Sequence, residues 1–409
     1  MSGKLWSRFG RDGALCERLS GTQRSGAPAR AGARVRELAP GHGDKPGAAW
    51  TRRDFLQACV LTAASGVFKL HSQRAAAAEP AGDASVMTVR GPVPVSQLGR
   101  ALTHEHIVTD FLGAARWAGP RYDLEAAVTT VRPHLEALKE RGVSALFECT
   151  PQYIGRDVRL LRQLAEATGV HLVTNTGYYG AAGYKYIPQH AYEESAEELA
   201  ERWLREWREG IDGTGIRPGF IKLGTDRGAL SPLHEKLLRA AARVHRRTGL
   251  TICGHTGDGV AAMDQLRILA SEEVAPEAFV WVHAQNGTDA DRIEAARRGA
   301  WISLDGYSLA PGVPERYLEA LLALKSAGCW SRVLVSHDDG WAVEGESPRQ
   351  APLRLFGNGN PQPYRSLFER LLPDLRKAGC TEADLDQLLR ANPARAFGIR
   401  VRKLHANST

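Results

Sequence analysis

Six residues with imidazole, carboxylate or amine side chains stand at or near the ends of short apolar segments of this 409-residue chain. Two of them form a His-x-His pair, and residues i and i+2 of a strand point to the same face. Imidazole and carboxylate ligands without a thiolate suit zinc, and also manganese, cobalt or iron. This combination predicts a metal site. The six residues are His104, His106, Lys222, His255, His283 and Asp338.

A single histidine at a strand end is more often structural than a ligand. The prediction therefore depends on repetition, because the His-x-His pair, two further histidines and an aspartate follow different apolar segments. Lys222 does not fit in the same way, since a cationic amine would repel metal ions. Its apolar neighbours Ile221 and Leu223 predict that it is buried, and a buried lysine needs a reason. The residues alone leave the role of Lys222 open.

The elements that must position these residues alternate along the chain from about residue 86. Short apolar segments, predicted to be strands, are separated by longer amphipathic patterns, predicted to be helices. Such alternation indicates a parallel sheet, and eight units in about 300 residues favour a (β/α)8 barrel over an open doubly wound sheet. The predicted strands are 101–108, 145–150, 171–178, 219–224, 250–255, 279–283, 301–304 and 333–336. The predicted helices are 124–140, 157–168, 196–209, 232–248, 259–271, 290–298 and 314–327.

The placement of the six residues agrees with the barrel. In such a fold, active sites form where the strands end at their carboxyl side. We expect one domain over residues 81–409, with residues 87–100 forming a small hairpin before the first strand. The long segments near 307–314 and 340–363 are expected to be loops at the same face, and the second could form a lid.

The residues that precede this domain have a different composition. Residues 1–50 are rich in Gly, Ala and Arg, which predicts a disordered basic leader or a start codon assigned too early. Residues 51–80 contain Arg52-Arg53, then Phe55-Leu56, an apolar run and an alanine run. This order resembles a twin-arginine export signal. It predicts the export machinery as a partner and a periplasmic or extracellular protein.

The distribution of charge and the spacing of the cysteines argue against a nucleic-acid-binding protein and against a zinc-finger or redox protein. Residues 1–78 hold 13 Lys and Arg against 5 Asp and Glu, so they account for more than the whole net charge of +7. The remaining residues have a net charge of −1, which gives no electrostatic footprint for nucleic acid. No C-x-x-C pair is present, so a zinc-finger or redox motif is not expected. Cys149 and Cys253 are predicted to be buried free thiols in strands.

Several short motifs occur in order and at fitting spacing along the domain. They include Thr103-His104-Glu105-His106, Gly155-Arg156-Asp157, Thr176-Gly177-Tyr178-Tyr179, Phe220-Ile221-Lys222, Gly254-His255-Thr256, Ser336-His337-Asp338 and Asn392-Pro393-Ala394-Arg395. On these motifs, the chain resembles the phosphotriesterase family of the amidohydrolase superfamily over roughly residues 86–400. The resemblance implies a hydrolase that cleaves a small-molecule ester: a phosphotriester, a lactone or a related carboxylic ester.

The resemblance also implies roles for the six residues. One metal ion would be held by His104, His106 and Asp338, and a second by His255 and His283. Lys222 would be carboxylated by CO2 to an anionic carbamate that bridges both ions, with a hydroxide as the second bridge. Asp338 would take the proton of that hydroxide during attack. A homodimer is a further expectation from the resemblance.

Four other residues near the strand ends carry alternative interpretations. Asn286 stands where the phosphotriesterase itself has a proton-relaying aspartate, which puts efficient organophosphate turnover in doubt. His337 could replace that relay but is expected to be structural. Asp305 is a substrate-contact candidate or else an N-cap or turn residue. Tyr179 is a substrate-contact candidate near the leaving group or else a packing residue.

Two other functional classes are compatible with a barrel. A lyase could use Lys222 as a Schiff-base nucleophile, but it would need no metal and no histidines at four strand positions. A non-catalytic exported binding protein would bind a ligand without turnover, and it would leave the complete ligand set unexplained.

Overall fold

The computed structural model describes residues 84–357 and 360–404. The predictions for residues 1–50 and 51–80 therefore lie outside the described residues. Within the described ranges, no helix combines the length and apolar character that a membrane crossing requires.

A hairpin precedes the barrel, as predicted, but it begins and ends earlier than the predicted residues 87–100. Its strands, Ser85–Thr88 and Gly91–Pro94, pair antiparallel. Thr88 Oγ1 donates a hydrogen bond of 2.7 Å to Gly91 O across the turn. The amide of Val89 then donates to Leu172 O, so the hairpin is tied to a barrel strand.

The eight predicted strands are confirmed, and they pair in parallel. One ladder contains β1, β2 and the first part of β3, and the other runs from the second part of β3 to β8. The two parts of β3 are separated by Thr174 alone. The strands are β1 Arg100–Glu105, β2 Val143–Glu148, β3 His171–Val173 with Asn175–Thr176, β4 Phe220–Thr225, β5 Thr251–Thr256, β6 Phe279–Val282, β7 Trp301–Leu304 and β8 Val333–Val335.

Hydrogen bonds at the strand ends connect the last strand with the first. The amide of Asp338 donates to His104 O at 3.2 Å, and the amide of His106 donates to Asp339 O at 2.8 Å. The amide of His104 also donates to Ser336 Oγ at 2.9 Å. The eight strands thus form a (β/α)8 barrel that is joined at the carboxyl end of β1 and β8.

The helices between the strands begin and end where capping residues predict. Asp157 caps the start of one helix and Ser195 forms a capping box at another, while Gly169 and Gly249 end helices in the left-handed conformation. Four helices coincide with their predicted bounds, and the other three differ by one residue at one or both ends. A single helical turn, His190–Glu193, also lies between β3 and β4. The seven longer helices are α1 Leu124–Glu140, α2 Val158–Thr168, α3 Ala196–Glu209, α4 Pro232–Thr248, α5 Gly259–Ser271, α6 Asp289–Arg298 and α7 Val313–Ser326.

The segment after β8 differs from the predicted loop. Strands Gly340–Val343 and Leu353–Phe356 form an antiparallel hairpin, which pairs with the short strand Val108–Thr109 beside the end of β1. The buried ion pair of Arg121 with Asp110 holds this hairpin, because Arg121 also donates to Ser347 O and Gly345 O. The chain ends in short helices α8 Leu372–Lys377, α9 Glu382–Asp386 and α10 Asn392–Phe397, with π-helical turns Leu367–Leu371 and Gln387–Ala391.

The barrel interior is apolar at its base and polar at its mouth. The rings of Phe147, Phe220 and Phe397 pack together, with centroids 4.1 Å apart for Phe147 and Phe397. Lys222 lies two residues beyond Phe220 on β4 and therefore points to the same side of the strand. Cys149 and Cys253 are buried free thiols in this interior, as predicted.

His245 at the end of α4 is buried as a neutral ring. Its Nδ1 donates to Leu250 O at 2.8 Å, and its Nε2 accepts from the amide of Arg402 at 2.9 Å. Burial lowers the pKa of His245 to about 4, below the ordinary value of 6.5. The unfolded chain therefore binds more protons than the folded protein between about pH 4 and 6.5. Folding stability consequently rises with pH in this window.

We expect His245→Gln to flatten that pH dependence. The histidine contributes up to about 3 kcal/mol to the fall in stability on acidification from about pH 7 to 4, and glutamine does not titrate. Urea unfolding at intervals across this pH range measures the difference between variant and parent. The exposed-face substitution Glu136→Gln should leave the slope unchanged. An identical slope in His245→Gln and parent would show that this histidine is not the titrating group.

Candidate metal centre

The carboxyl ends of five strands deliver the six predicted residues to one place. His104 and His106 lie at the end of β1, Lys222 is in β4 and His255 is in β5. His283 directly follows β6, and Asp338 lies three residues beyond the end of β8. Both have left-handed backbones with φ of 60°, a conformation that costs energy for residues with a side chain and is concentrated at functional sites.

The carboxylate of Asp338 faces the His-x-His pair. Its Oδ1 lies 3.1 Å from His104 Nε2 and 3.0 Å from His106 Nε2. With Nε2 on this side, His106 Nδ1 donates to Thr150 Oγ1 at 2.8 Å. The ring of His106 is therefore fixed by Thr150 with its second nitrogen directed to Asp338.

The other two histidines and the lysine complete the cluster. The His283 ring lies between His104 and His255, with centroid distances of 4.9 and 4.4 Å. Lys222 Nζ is 3.5 Å from His104 Nε2. The Lys222 side chain is nearly inaccessible, at 2% exposure. Among the described residues, no carboxylate lies within ion-pair distance of its amine.

The donor set fits a cation. Ligand atoms of His104, His283 and Asp338 all lie within 4.8 Å of one another. Asp338 Oδ1 is buried, and within the described ranges it accepts no hydrogen bond of acceptable geometry although two imidazole nitrogens face it. Lone pairs that converge in a buried site without a shared proton are the arrangement in which protein ligands hold a metal ion.

Two imidazoles and the carboxylate of the cluster are held deprotonated. Burial lowers the pKa of His106 to about 4 and that of His255 well below the ordinary value. Burial alone would also lower the pKa of His104, but Cys149, Asp305 and Asp338 outweigh it and raise that pKa well above its ordinary value. Burial alone would raise the pKa of Asp338, but His104 and His106 outweigh it and hold the pKa well below its usual range. Neutral imidazoles and an ionised carboxylate are the forms that bind metal.

Asp305 at the end of β7 contacts His283. The carboxylate is fully buried, accepts from His283 Nδ1 at 2.7 Å and accepts from the amide of His283 at 3.1 Å with each oxygen. The proton on Nδ1 leaves the lone pair of Nε2 of His283 able to bind a cation. These contacts place Asp305 neither at a helix N-terminus nor in a turn, and they favour an orienting role over the predicted contact with substrate.

Replacement of Asp305 by asparagine should weaken metal binding. An asparagine amide at this position can accept from His283 with only one oxygen and adds no charge, so the ring loses orientation and basicity. We expect the metal dissociation constant to rise about 10- to 100-fold. Competition with a chromophoric chelator measures this change. Asp291→Asn, which changes the carboxylate of the Thr288 capping box at the start of α6, should keep the parental affinity. Parental affinity in Asp305→Asn would contradict the orienting role.

Tyr179 lies at the edge of the cluster. Its ring meets that of His255 edge to face at a centroid distance of 4.9 Å. Gly224 in β4 permits this approach, because a Cβ there would lie 2.8 Å from the Tyr179 ring. Burial raises the pKa of Tyr179 well above its ordinary value, so the phenol keeps its proton. The substrate contact of Tyr179 stays a prediction.

The two candidate relay residues are placed differently. Asn286 is exposed, and its amide donates to Thr256 O at 3.4 Å. His337 is buried, donates from Nδ1 to Glu105 at 2.7 Å and accepts from the amide of Leu367 with Nε2. Because both ring nitrogens of His337 are engaged, the structure favours its structural interpretation.

Residues that support the ligands were not identified from sequence. Thr150 fixes His106, Glu105 binds His337, and Gln285 contacts both His283 and Asp305. Thr150 is the last residue of the predicted strand 145–150, and Gln285 lies two residues beyond the predicted strand 279–283. That position was the available signal, but neither residue type is a metal ligand of choice.

Comparisons with known proteins agree with this geometry. The model of the phosphotriesterase family matches residues 84–397. A phosphotriesterase homology protein of Escherichia coli is 31% identical over 302 residues, which cover 73% of this chain and 98% of that protein. An aryldialkylphosphatase of Saccharolobus solfataricus is 28% identical over 310 residues, with 73% and 95% covered.

Solved structures of organophosphate-hydrolysing enzymes are also similar to this chain. The organophosphorus hydrolase from Deinococcus radiodurans is 33% identical, with a TM-score of 0.68 over 77% of this chain and 97% of that one. A structure described as the engineering of organophosphate hydrolysis from a weak promiscuous lactonase template is also 33% identical, with a TM-score of 0.68. It is matched over its full length by 77% of this chain.

Proposed function

The chain belongs to the phosphotriesterase family and is a metal-dependent hydrolase that acts on esters, and we propose that it does so with two divalent metal ions held by the six clustered residues. His104, His106 and Asp338 would hold one ion, and His255 and His283 the other. The observation that carries this proposal is the buried Lys222 amine, which lies 3.5 Å from His104 Nε2 beside these ligands.

Lys222 is proposed to be carboxylated. An ammonium group buried without a carboxylate partner is costly, and it would repel cations held by the surrounding histidines. A carbamate formed with CO2 carries a negative charge and two oxygens, so it would change Lys222 from an unfavourable neighbour into a bridging ligand. Zinc suits this set of nitrogen and oxygen donors, and manganese, cobalt and iron are the alternatives.

Asp338, Asp305 and Tyr179 would have different roles in the hydrolysis. When bound, the ions would lower the pKa of water to about 7 and polarise the phosphoryl or carbonyl oxygen of the ester. Asp338 is held ionised beside His104 and His106, so its carboxylate can accept the proton of the attacking water. Asp305 orients His283, and we propose that the neutral phenol of Tyr179, whose ring contacts His255, donates to the leaving group.

We propose that the substrate is an ester whose cleavage does not need a proton-relaying residue at position 286. Asn286 cannot ionise, and His337 has both nitrogens engaged. We therefore propose a lactone or another carboxylic ester as the preferred substrate over a phosphotriester. A solved neighbour with 33% identity, in which organophosphate hydrolysis was engineered from a weak promiscuous lactonase template, supports this order.

The test is metal analysis of the purified protein together with a panel of lactones, aryl esters and phosphotriesters. We expect close to two ions per chain, loss of hydrolysis with a chelator, and higher kcat/KM for lactones than for phosphotriesters. One ion per chain with full activity would contradict the two-metal proposal. Activity that resists the chelator, with borohydride trapping of substrate on Lys222, would favour the Schiff-base lyase. Binding without turnover would favour the binding protein.

Export by the twin-arginine route, a periplasmic or extracellular location and a homodimer stay predictions. The arginine pair and the apolar run of residues 51–80 support the first two. Fractionation of cells that express the chain with Arg52-Arg53 intact or replaced by Lys-Lys tests export, and sedimentation of the purified protein tests the dimer.

A further inference from the structure

The backbone of Asp338 is held in an unfavourable conformation. Its φ of 60° is left-handed, and it lies three residues beyond the end of β8 at 2% exposure. Aspartate visits this region more readily than most residues, but the conformation still costs energy. Such a backbone persists only where the surroundings determine it.

Every amide in the segment 337–339 donates to the segment 104–106. The amide of His337 donates to Glu105 Oε1 at 2.9 Å, and the amide of Asp339 donates to Glu105 Oε2 at 3.1 Å. Between them, the amide of Asp338 donates to His104 O. One carboxylate thus binds the backbone on both sides of Asp338.

The same carboxylate also binds the His337 ring. Nδ1 of His337 donates to Glu105 Oε1 at 2.7 Å, and Nε2 accepts from the amide of Leu367 at 3.1 Å. Glu105 and His337 are both fully buried. Glu105 therefore accepts three hydrogen bonds in a site without competing water, and both of its oxygens are used.

We infer that Glu105 is a positioning residue that sets the direction of the Asp338 carboxylate. Glu105 is the central residue of the His-x-His pair. One tripeptide therefore supplies two imidazoles and also the carboxylate that orients Asp338, which faces those imidazoles. Glu105 does not touch the reacting atoms itself and acts through the backbone of residues 337–339. This inference rests on the proposed catalytic role of Asp338.

A double-mutant cycle tests the inference. Glutamine at position 105 has one acceptor oxygen, and its NH2 group would face an amide donor. The hydrogen bond to the backbone amide on one side of Asp338 is therefore lost. We expect Glu105→Gln to lower kcat about 10- to 100-fold, as other outer-shell changes do, with little change in KM. In the Asp338→Asn background, the same substitution should lower kcat less than about 2-fold, because the residue it positions is already disabled.

A matched control separates positioning from general destabilisation. Glu206 also accepts several hydrogen bonds, from Arg156 and Thr176, but it touches none of the six clustered residues. Glu206→Gln should lower the urea midpoint without changing kcat, and any effect it has should add to that of Asp338→Asn. The cobalt-loaded proteins give a second readout, since the visible absorption spectrum should change in Glu105→Gln and not in Glu206→Gln.

The outcomes are distinct. Additive losses of kcat for Glu105→Gln and Asp338→Asn, or an unchanged cobalt spectrum, would overturn the inference. A wild-type rate in Asp338→Asn alone would overturn the proposed function instead. If Glu105→Gln does not fold, Glu105→Asp is carried through the same cycle, because a side chain shorter by one methylene cannot span both amides.

Discussion

Lys222→Ala is expected to lose bound metal and ester hydrolysis together. Alanine removes the amine that lies 3.5 Å from His104 Nε2, and with it the proposed carbamate bridge. Two cations that share no anionic bridge repel each other in a buried site, so at least one should be lost. We expect at most one ion per chain by elemental analysis and a fall in kcat/KM of about 1,000-fold or more.

Bicarbonate and a distant lysine provide the controls. Metal-stripped parent protein should regain activity faster in zinc with bicarbonate than in zinc without CO2, whereas Lys222→Ala should not respond to bicarbonate. Lys325 forms an ion pair with Asp384 and touches none of the clustered residues, so Lys325→Ala should keep metal and rate. If Lys222→Ala retained both ions and the parental rate, the bridging role would be wrong.

Asp338→Asn is expected to lower kcat about 100- to 10,000-fold, which is the usual range for removal of a general base. Asparagine keeps the size and tolerates the left-handed backbone, but its amide cannot accept a proton. The loss should fall on kcat more than on KM, because proton transfer occurs in the transition state and not on binding. Steady-state kinetics from about pH 5 to 9 measure it.

The pH profile adds a second criterion for Asp338. The pKa of its carboxyl is held well below the usual range by His104 and His106. The carboxylate should therefore remain ionised throughout the assay, so its own protonation should not appear as an acid limb in the profile. Asp384→Asn is the matched aspartate control and should retain the parental rate. A fall of less than about 3-fold in Asp338→Asn, with metal retained, would assign the base to another group.

The strands and helices could be predicted because their determinants are local. Helices Leu124–Glu140 and Pro232–Thr248 begin after Asp123 and Ser231, whose side chains accept from helix amides, and their apolar spacing follows the helical period. The hairpin Gly340–Val343 with Leu353–Phe356 was predicted as a loop. Its strands have four residues each, and no amphipathic helical pattern lies between them. The equally short β6 and β7 could be recognised because such a pattern follows each of them.

The six clustered residues could be predicted because strand ends of a barrel converge by topology. Their supporting contacts could not. Glu105 and His337 are 232 residues apart in the chain, and no local pattern specifies that the carboxylate turns to His337 and away from the cluster. The role of Asp305 likewise depends on the distance to His283, a residue of the preceding strand.

The hydrogen bonds between residues 104–106 and 337–339 also determine when the centre can exist during synthesis. These segments come from the beginning and the end of the barrel, and such non-local pairing forms late in folding. A nascent chain still attached to the ribosome before residue 338 emerges lacks both the Asp338 ligand and the contacts that join β8 to β1. With Asp338 as a ligand, as proposed, the complete centre can form only after residue 338 has emerged, and shorter nascent chains would lack it.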